Sequence, residues 1–251
     1  MTEPRQCVIL VGGLGTRLGE RTKTTPKPLL EVGGAPFLEI LFAEARRRGF
    51  DEFLLLAGHL SERFAAFVEC REIESRFACS VALSIEPEPL GTGGALVHAL
   101  PRLSERFLLL NGDTWFDCDW LDLATRAARD DAGAALALRR IAAPDRYETV
   151  ATERSLVRAL LPRGEARGPA WINGGVYAFA RRALEAFASP CSLERDILPA
   201  LIARRELRAY RFSGFFIDIG VPESLAAAAE LVPARLRARE GRLASFSGGA
   251  Q

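Results

Sequence analysis

Short apolar runs, Cys7–Val11, Phe53–Ala57, Val81–Ile85 and Phe107–Leu110, recur along the first half of the chain with amphipathic stretches between them. An uninterrupted apolar run of this length suits a strand covered on both faces, which helices on either side of a parallel sheet provide. Between the first two runs, Phe37–Arg48 carries apolar residues at helical spacing, ends in arginines and meets Gly49 as a C′ glycine. Ser61 is placed to cap a second helix running to Val68. Strand, helix and strand in this order imply right-handed crossovers and a largely parallel sheet, with ligands at the carboxyl ends of its strands.

The second half is less regular. Ala135–Arg139, Tyr147–Ala151, Val176–Phe179, Leu207–Phe212 and Phe215–Ile219 read as strands, and Arg181–Phe187, Leu193–Arg204 and Pro222–Leu231 as helices. Residues 162–169 form a charged, turn-rich loop, and a low-complexity tail covers 245–251. With no internal repeat and no disordered linker, the halves are expected to share one sheet in a single domain over 1–251.

Composition excludes several classes. The 33 Lys and Arg nearly cancel 32 Asp and Glu, so no long-range field exists for gripping nucleic acid or an anionic membrane, and any phosphate chemistry must be local. No segment approaches the ~20 apolar residues of a membrane span, and the opening MTEPRQCVIL is too short for a signal-peptide core; a cytoplasmic location is expected. Five scattered cysteines without a CxxC pair read as reduced structural thiols. His59 and His98, each alone, lack the clustering a metal site needs.

"LVGGLGTRLGERTKTTPKP", residues 10–28, follows the first apolar run. After Leu10, Gly12, Gly13 and Gly15 let backbone N–H groups turn toward an anion, and Arg17 adds a fork of donors matched to phosphate oxygens. Without GxxxxGK[ST] it is no P-loop, and Leu18 stands where a dinucleotide fingerprint needs its third glycine. Glycines alone would equally serve a tight strand-to-helix turn. Lys27, held between Pro26 and Pro28 in chain expected to be extended, adds a cation aimed back at the loop.

With Lys27 the stretch resembles the signature GxGTRLxPLTxxxPKP of the sugar-1-phosphate nucleotidylyltransferases, although Gly19, Glu20 and Arg21 replace the usual proline-leucine. "EPEPLGTGGAL" (86–96) resembles that family's base-binding segment, "LLLNGDTWF" (108–116) and "FFIDIG" (215–220) its metal-binding strand ends, and "WINGGVYAF" (171–179) its sugar-binding strand. The resemblance implies a Rossmann-like, GT-A-like three-layer α/β/α fold with a mixed, mainly parallel sheet. Residues 1–120 would mainly bind nucleotide, 121–232 mainly sugar phosphate, and 233–251 would form a C-terminal helix and tail.

The resemblance implies nucleotidyl transfer from a nucleoside triphosphate to a sugar 1-phosphate. Its implied catalytic groups are Arg17, Lys27 and Asp113, and its nucleotide contacts Leu10, Gly12, Gly13, Gly15, Thr16, Arg17, Glu86, Leu90, Gly91, Thr92 and Gly93. Tyr147, Arg163, Asn173, Gly174 and Glu194 would hold the sugar phosphate, while Asp113 and Asp218 would hold Mg²⁺ or Mn²⁺. The chemistry fits these residue types: joining two polyanions calls for charge neutralisation and alignment, and Mg²⁺ favours one or two carboxylates plus phosphate oxygens. A homodimer is compatible with the sequence.

Further departures fall in the sugar half. "LLPRG" places Pro162 and Arg163 where relatives carry an EKP or EKG lysine, and "DRYETV" has Glu148 where glycine often follows the tyrosine. Asn173 equally suits a turn before Gly174–Gly175, and Glu194 the first turn of a helix. Within the family the chain looks most like the heptose 1-phosphate guanylyltransferase branch, with the N-acetylmuramate 1-phosphate uridylyltransferases and mannose 1-phosphate guanylyltransferases as rivals. A metal-dependent GT-A glycosyltransferase is the alternative from another class, through the literal DxD of Asp117–Asp119. A nucleotide-sugar sensor is disfavoured by the presence of Arg17, Lys27 and Asp113.

Overall fold

The computed structural model of the chain describes residues 4–247, with side chains placed to residue 239. In chain order its first half holds β1 (Gln6–Leu10), α1 (Arg21–Thr24), β2 (Glu31–Val32), β3 (Ala35–Pro36), α2 (Phe37–Arg47), β4 (Glu52–Ala57), α3 (Ser61–Cys70), α4 (Ile73–Phe77), β5 (Ser80–Ile85), α5 (Gly91–His98), β6 (Arg106–Asn111) and β7 (Thr114–Phe116). The second half adds α6 (Trp120–Arg129), β8 (Ala134–Ile141), β9 (Thr149–Glu153), β10 (Leu156–Leu161), β11 (Ala170–Ala180), α7 (Leu198–Ala203), β12 (Leu207–Phe212), β13 (Phe216–Asp218) and α8 (Pro222–Ser247).

Strands from both halves share one nine-stranded sheet, ordered β5-β4-β1-β6-β11-β8-β12-β10-β9, while β7 and β13 form a separate pair. Pairing is parallel from β5 through β6 and again between β8 and β12. β11, β10 and β9 join antiparallel, so the sheet is more evenly mixed than the apolar runs suggested. Successive residues of β1 face opposite sides: Cys7 and Ile9 enter the core that holds Phe42, Phe64 and Trp120, and Val8 the core that holds Leu96, Leu198 and Leu201. That alternation accounts for the uninterrupted apolar run and defines three layers.

Several elements differ from expectation for local reasons. Ser61 does not cap α3: Leu60 takes the N-cap position at φ 56°, and Ser61 is already helical. Arg181–Phe187 yields only a 3-10 turn, Arg181–Ala183. Leu193–Arg204 divides into a π-helical turn, Leu193–Ile197, and α7, because Pro199 has no N–H to continue the ladder. The last helix runs unbroken past Pro233 to Ser247, and residues 248–251 of the expected tail lie outside the described residues.

α8 is tied to α2 by a buried ionic network. Arg48 donates to Glu44 (2.5 Å) and Asp117 (2.6 Å) and stacks over Trp120 at 4.2 Å, while Arg235 reaches Asp117 (3.0 Å) and Arg239 reaches Glu44. Burial alone would raise the Glu44 carboxyl, but Arg239 and Arg48 outweigh it and hold it at about 2 instead of 4.5. A depressed carboxyl contributes stability above its unfolded value and loses it as pH falls toward the folded one. Removing one partner strands a buried charge, so Arg48→Met is expected to lower urea-unfolding stability at pH 7 by ~3 kcal/mol. The deficit should shrink toward pH 2; a wild-type-like midpoint at pH 7 would show the network to be inert.

Candidate active site

The carboxyl ends of β1, β4 and β6 converge on the glycine loop. Val11 donates to the Leu56 carbonyl (3.0 Å) and Gly112 to that of Leu10 (3.0 Å), which ties the loop to both neighbouring strands. Gly15 stands at φ 65°, a left-handed conformation costly for other residues, and opens the 3-10 turn Thr16–Leu18. Its carbonyl accepts from the buried Thr22 hydroxyl at 3.0 Å, which closes the loop from behind. Among the described residues, no backbone N–H from Gly13 to Thr16 has an intramolecular acceptor. The residues that carry these N–H groups line a cavity together with Leu10, Gly12 and Arg17. The departure Gly19-Glu20-Arg21 forms a turn leading into the short α1, which leaves the loop intact.

Lys27 opens a 3-10 turn, Lys27–Leu29; the backbone is extended at Thr25 before it and at Leu30 after it, so the extension expected from the flanking prolines does not include Lys27 itself. The turn delivers Nζ to Asp113 Oδ2 at 2.8 Å, with the two side chains 17% and 33% exposed. Asp113 follows β6, and its Oδ1 accepts from the Thr114 hydroxyl at 3.1 Å. Pairing of β7 with β13 sets Asp218 opposite Thr114, and the Ile219 N–H donates to the carbonyl of Asp113, in the turn that precedes β7, at 2.9 Å. Asp218 is more heavily engaged: Arg146 (3.0 Å), the Gly220 N–H (2.9 Å), Ser224 (3.3 Å) and the Tyr147 hydroxyl all donate to it. Burial, and then this bond, push the Tyr147 hydroxyl well above its usual range.

"GTGGAL" forms the first turns of α5. Its N-terminus points at the cavity through Gly91 and Thr92. Gly93 and Gly94 instead donate to the Cys191 carbonyl at 3.0 and 2.9 Å. Gly93 therefore sits behind the wall, as does Leu90, which is buried and sends its N–H to Glu86 Oε2 at 3.1 Å. Glu86 lines the cavity and lies against Gly58, where an added Cβ would stand 2.2 Å from its Oε1. Burial raises its carboxyl.

A second cavity, of about 640 Å³, adjoins the first and is lined by Tyr147, Asn173, Asp218 and Glu223 among others. The two share Arg17, Asn111, Asp113, Arg163 and Glu194. Neither Arg17 nor Arg163 has a side-chain partner among the described residues. Glu194 is the second residue of the π-helical turn and accepts from Thr92 (3.0 Å) and Ser192 (3.2 Å). Asn173 donates to the Tyr177 hydroxyl at 2.8 Å and accepts from the Gly175 N–H at 3.1 Å, at a register shift in β11. Gly174 faces away: its Cβ would lie 2.5 Å from the Phe116 ring.

Sequence reasoning missed Asn111, at the strand end beside Asp113, and Arg146, which precedes Tyr147 in "DRYETV". Both were adjacent to quoted motif residues, the one signal that could have flagged them. The DxD alternative lacks its aspartates: Asp117 is held by Arg48 and Arg235, and Asp119 caps α6 by accepting from the Asp122 N–H at 2.9 Å.

The family model described as "Nucleotidyl transferase" matches residues 6–235. The chain belongs to the nucleotidyl transferase family. It is 34% identical over 222 residues, 87% of this chain and 94% of the relative, to D-glycero-alpha-D-manno-heptose 1-phosphate guanylyltransferase of Aneurinibacillus thermoaerophilus. It is 33% identical to the enzyme of the same description from Campylobacter jejuni, again over 87% of this chain and 96% of the relative. The crystal structure of HddC from Yersinia pseudotuberculosis complexed with GMP-PN has a TM-score of 0.77 and 28% identity, covering 90% of this chain and 99% of that one. This nucleotidyl transferase is accordingly a sugar-1-phosphate nucleotidylyltransferase in reaction class, on an α/β fold with a mixed sheet. Among the described residues, no helix is long and apolar enough to cross a membrane.

Proposed function

We propose that the chain transfers a guanylyl group from GTP to D-glycero-D-manno-heptose 1-phosphate, releasing pyrophosphate. The observation that carries this reading is the meeting of two cavities at Asp113, Arg17 and Arg163, with Lys27 on the nucleotide side. An oxygen of the sugar phosphate attacks the α-phosphorus, the new P–O bond forms, and the bond from the α-phosphorus to the bridging oxygen breaks as pyrophosphate leaves. The attacking oxygen is already ionised near neutral pH, so no side-chain nucleophile or base is required. The chain contributes alignment and charge: the N–H groups of the loop and Arg17 hold the triphosphate, Lys27 faces charge at the reacting phosphate, and Arg163 holds the sugar phosphate.

Asp113 and Asp218 form an oxygen-only donor set that fits a hard divalent cation such as Mg²⁺ or Mn²⁺. Such an ion, when bound, would neutralise phosphate charge. Asp113, the more exposed and less engaged of the pair, is the principal candidate ligand.

Glu86 supports the choice of base. A carboxylate only accepts hydrogen bonds; guanine presents N1–H and a 2-amino group side by side, whereas uracil presents one N–H between two carbonyls that a carboxylate repels. Glu86 also organises the turn into α5 through Leu90, so the base would sit against a braced acceptor. Pyrophosphate release from four nucleoside triphosphates paired with several sugar 1-phosphates tests the whole reading. GTP should exceed UTP in kcat/KM by at least ~10-fold, and Glu86→Gln should narrow that ratio. UTP equal to GTP would promote the N-acetylmuramate 1-phosphate uridylyltransferase reading.

A further inference from the structure

The polar groups expected to meet the sugar are largely spent on one another. Asn173 uses its donor on Tyr177 and its acceptor on the Gly175 N–H, Tyr147 donates to Asp218, and Glu194 accepts from Thr92 and Ser192. Among the residues confined to the second cavity, Arg146 is paired with Asp218 at 3.0 Å. Two carboxylates remain there, Glu148 and Glu223, and neither has a hydrogen-bond or ion-pair partner among the described residues. Glu223 is exposed, whereas Glu148 is half-buried at the entrance to β9, whose next residue, Thr149, is buried and in register with Ile172 of β11. The backbone that carries Glu148 is thereby fixed by the sheet.

We propose that Glu148 is a specificity-determining residue that makes this cavity a pocket for uncharged polyhydroxy sugars and excludes sugar 1-phosphates bearing a carboxylate. The proposal rests on the second cavity being the sugar subsite of the reaction above. A carboxylate offers acceptors on two oxygens, and hydroxyl donors of a sugar give short charge-assisted bonds to it. A carboxylate on the sugar would be a like charge without a donor, placed beside Glu148 and Glu223, the unpaired charges confined to this cavity. Cations cannot rescue it cheaply, because Arg146 is engaged by Asp218 and both Arg17 and Arg163 also border the nucleotide cavity.

The test compares kcat/KM with GTP for neutral mannose and heptose 1-phosphates against glucuronic acid and N-acetylmuramate 1-phosphates, in wild type, Glu148→Gln and Glu148→Gly. Wild type should favour the neutral sugars by at least ~100-fold, and both variants should narrow that ratio at least ~10-fold, chiefly through the KM of the sugar phosphate. Acidic sugars used as well as neutral ones by wild type, or an unchanged ratio in both variants, would overturn the proposal while leaving guanylyl transfer standing. Pyrophosphate release with no sugar 1-phosphate at all would instead overturn the transfer reading, and this proposal with it.

Discussion

Lys27→Ala is expected to lower kcat at least ~100-fold at saturating substrates, the scale of removing one preorganised transition-state donor. Lys27 is mostly buried, is delivered by a fixed 3-10 turn, and stands 2.8 Å from Asp113, so its charge is already positioned before substrate arrives. Preorganisation of that kind costs no rearrangement during the reaction, which is why the loss should appear in kcat more than in KM. Arg17→Ala should act in the same direction. Arg17 is exposed and borders both cavities, so its effect should be divided between triphosphate binding and turnover. Circular dichroism should show both variants folded. Near-normal turnover in Lys27→Ala would remove the lysine from the chemistry.

Legibility in the sequence followed the physics of each segment. β1, β4 and β6 were plain as apolar runs because both their faces are covered, whereas β5, expected to be buried, is an edge strand that leaves Ala82 and Ile85 exposed; "TRL" and "PKP" supplied the two cations, Arg17 and Lys27, that line the first cavity. α6 went unread even though Asp119 caps it and Trp120, Leu123, Ala124 and Ala127 bury at helical spacing. Its cap lay in "DCD", where a literal metal motif competed for attention. β10 was missed because only Leu156 and Val157 are buried, so its apolar signal is short. The glycines of "GTGGAL" are needed inside α5, because an added Cβ at Gly93 would meet Cys191 and Ile197 at 2.9 Å. Which residues share a cavity was beyond any local pattern. Arg163 and Glu194 stand far apart in sequence and meet only through the order β11-β8-β12 and the loops it brings together.

Asp113→Asn should reduce turnover by ~1,000-fold and raise the divalent-ion concentration needed for half-maximal rate, because the change keeps shape while removing the charge that a hard cation and Lys27 both require. Asp218→Asn should act similarly but also disturb structure, since Arg146, Tyr147, Gly220 and Ser224 all donate to that carboxylate. Among the described residues the Asp113 side chain has only Lys27 and Thr114 as partners, so its loss isolates the chemistry more cleanly. If Lys27 and Asp113 act as a unit, Lys27→Ala placed on Asp113→Asn should cost less than the ~100-fold it costs alone. Asp119→Asn is the contrasting variant: it touches a helix cap that asparagine also fills, and full activity there with collapse at Asp113 assigns the metal requirement to the end of β6 and not to the DxD stretch. Full wild-type activity in excess chelator, or an Asp113→Asn variant with an unaltered ion requirement, would remove Asp113 from metal binding and leave its side chain to Lys27 and Thr114.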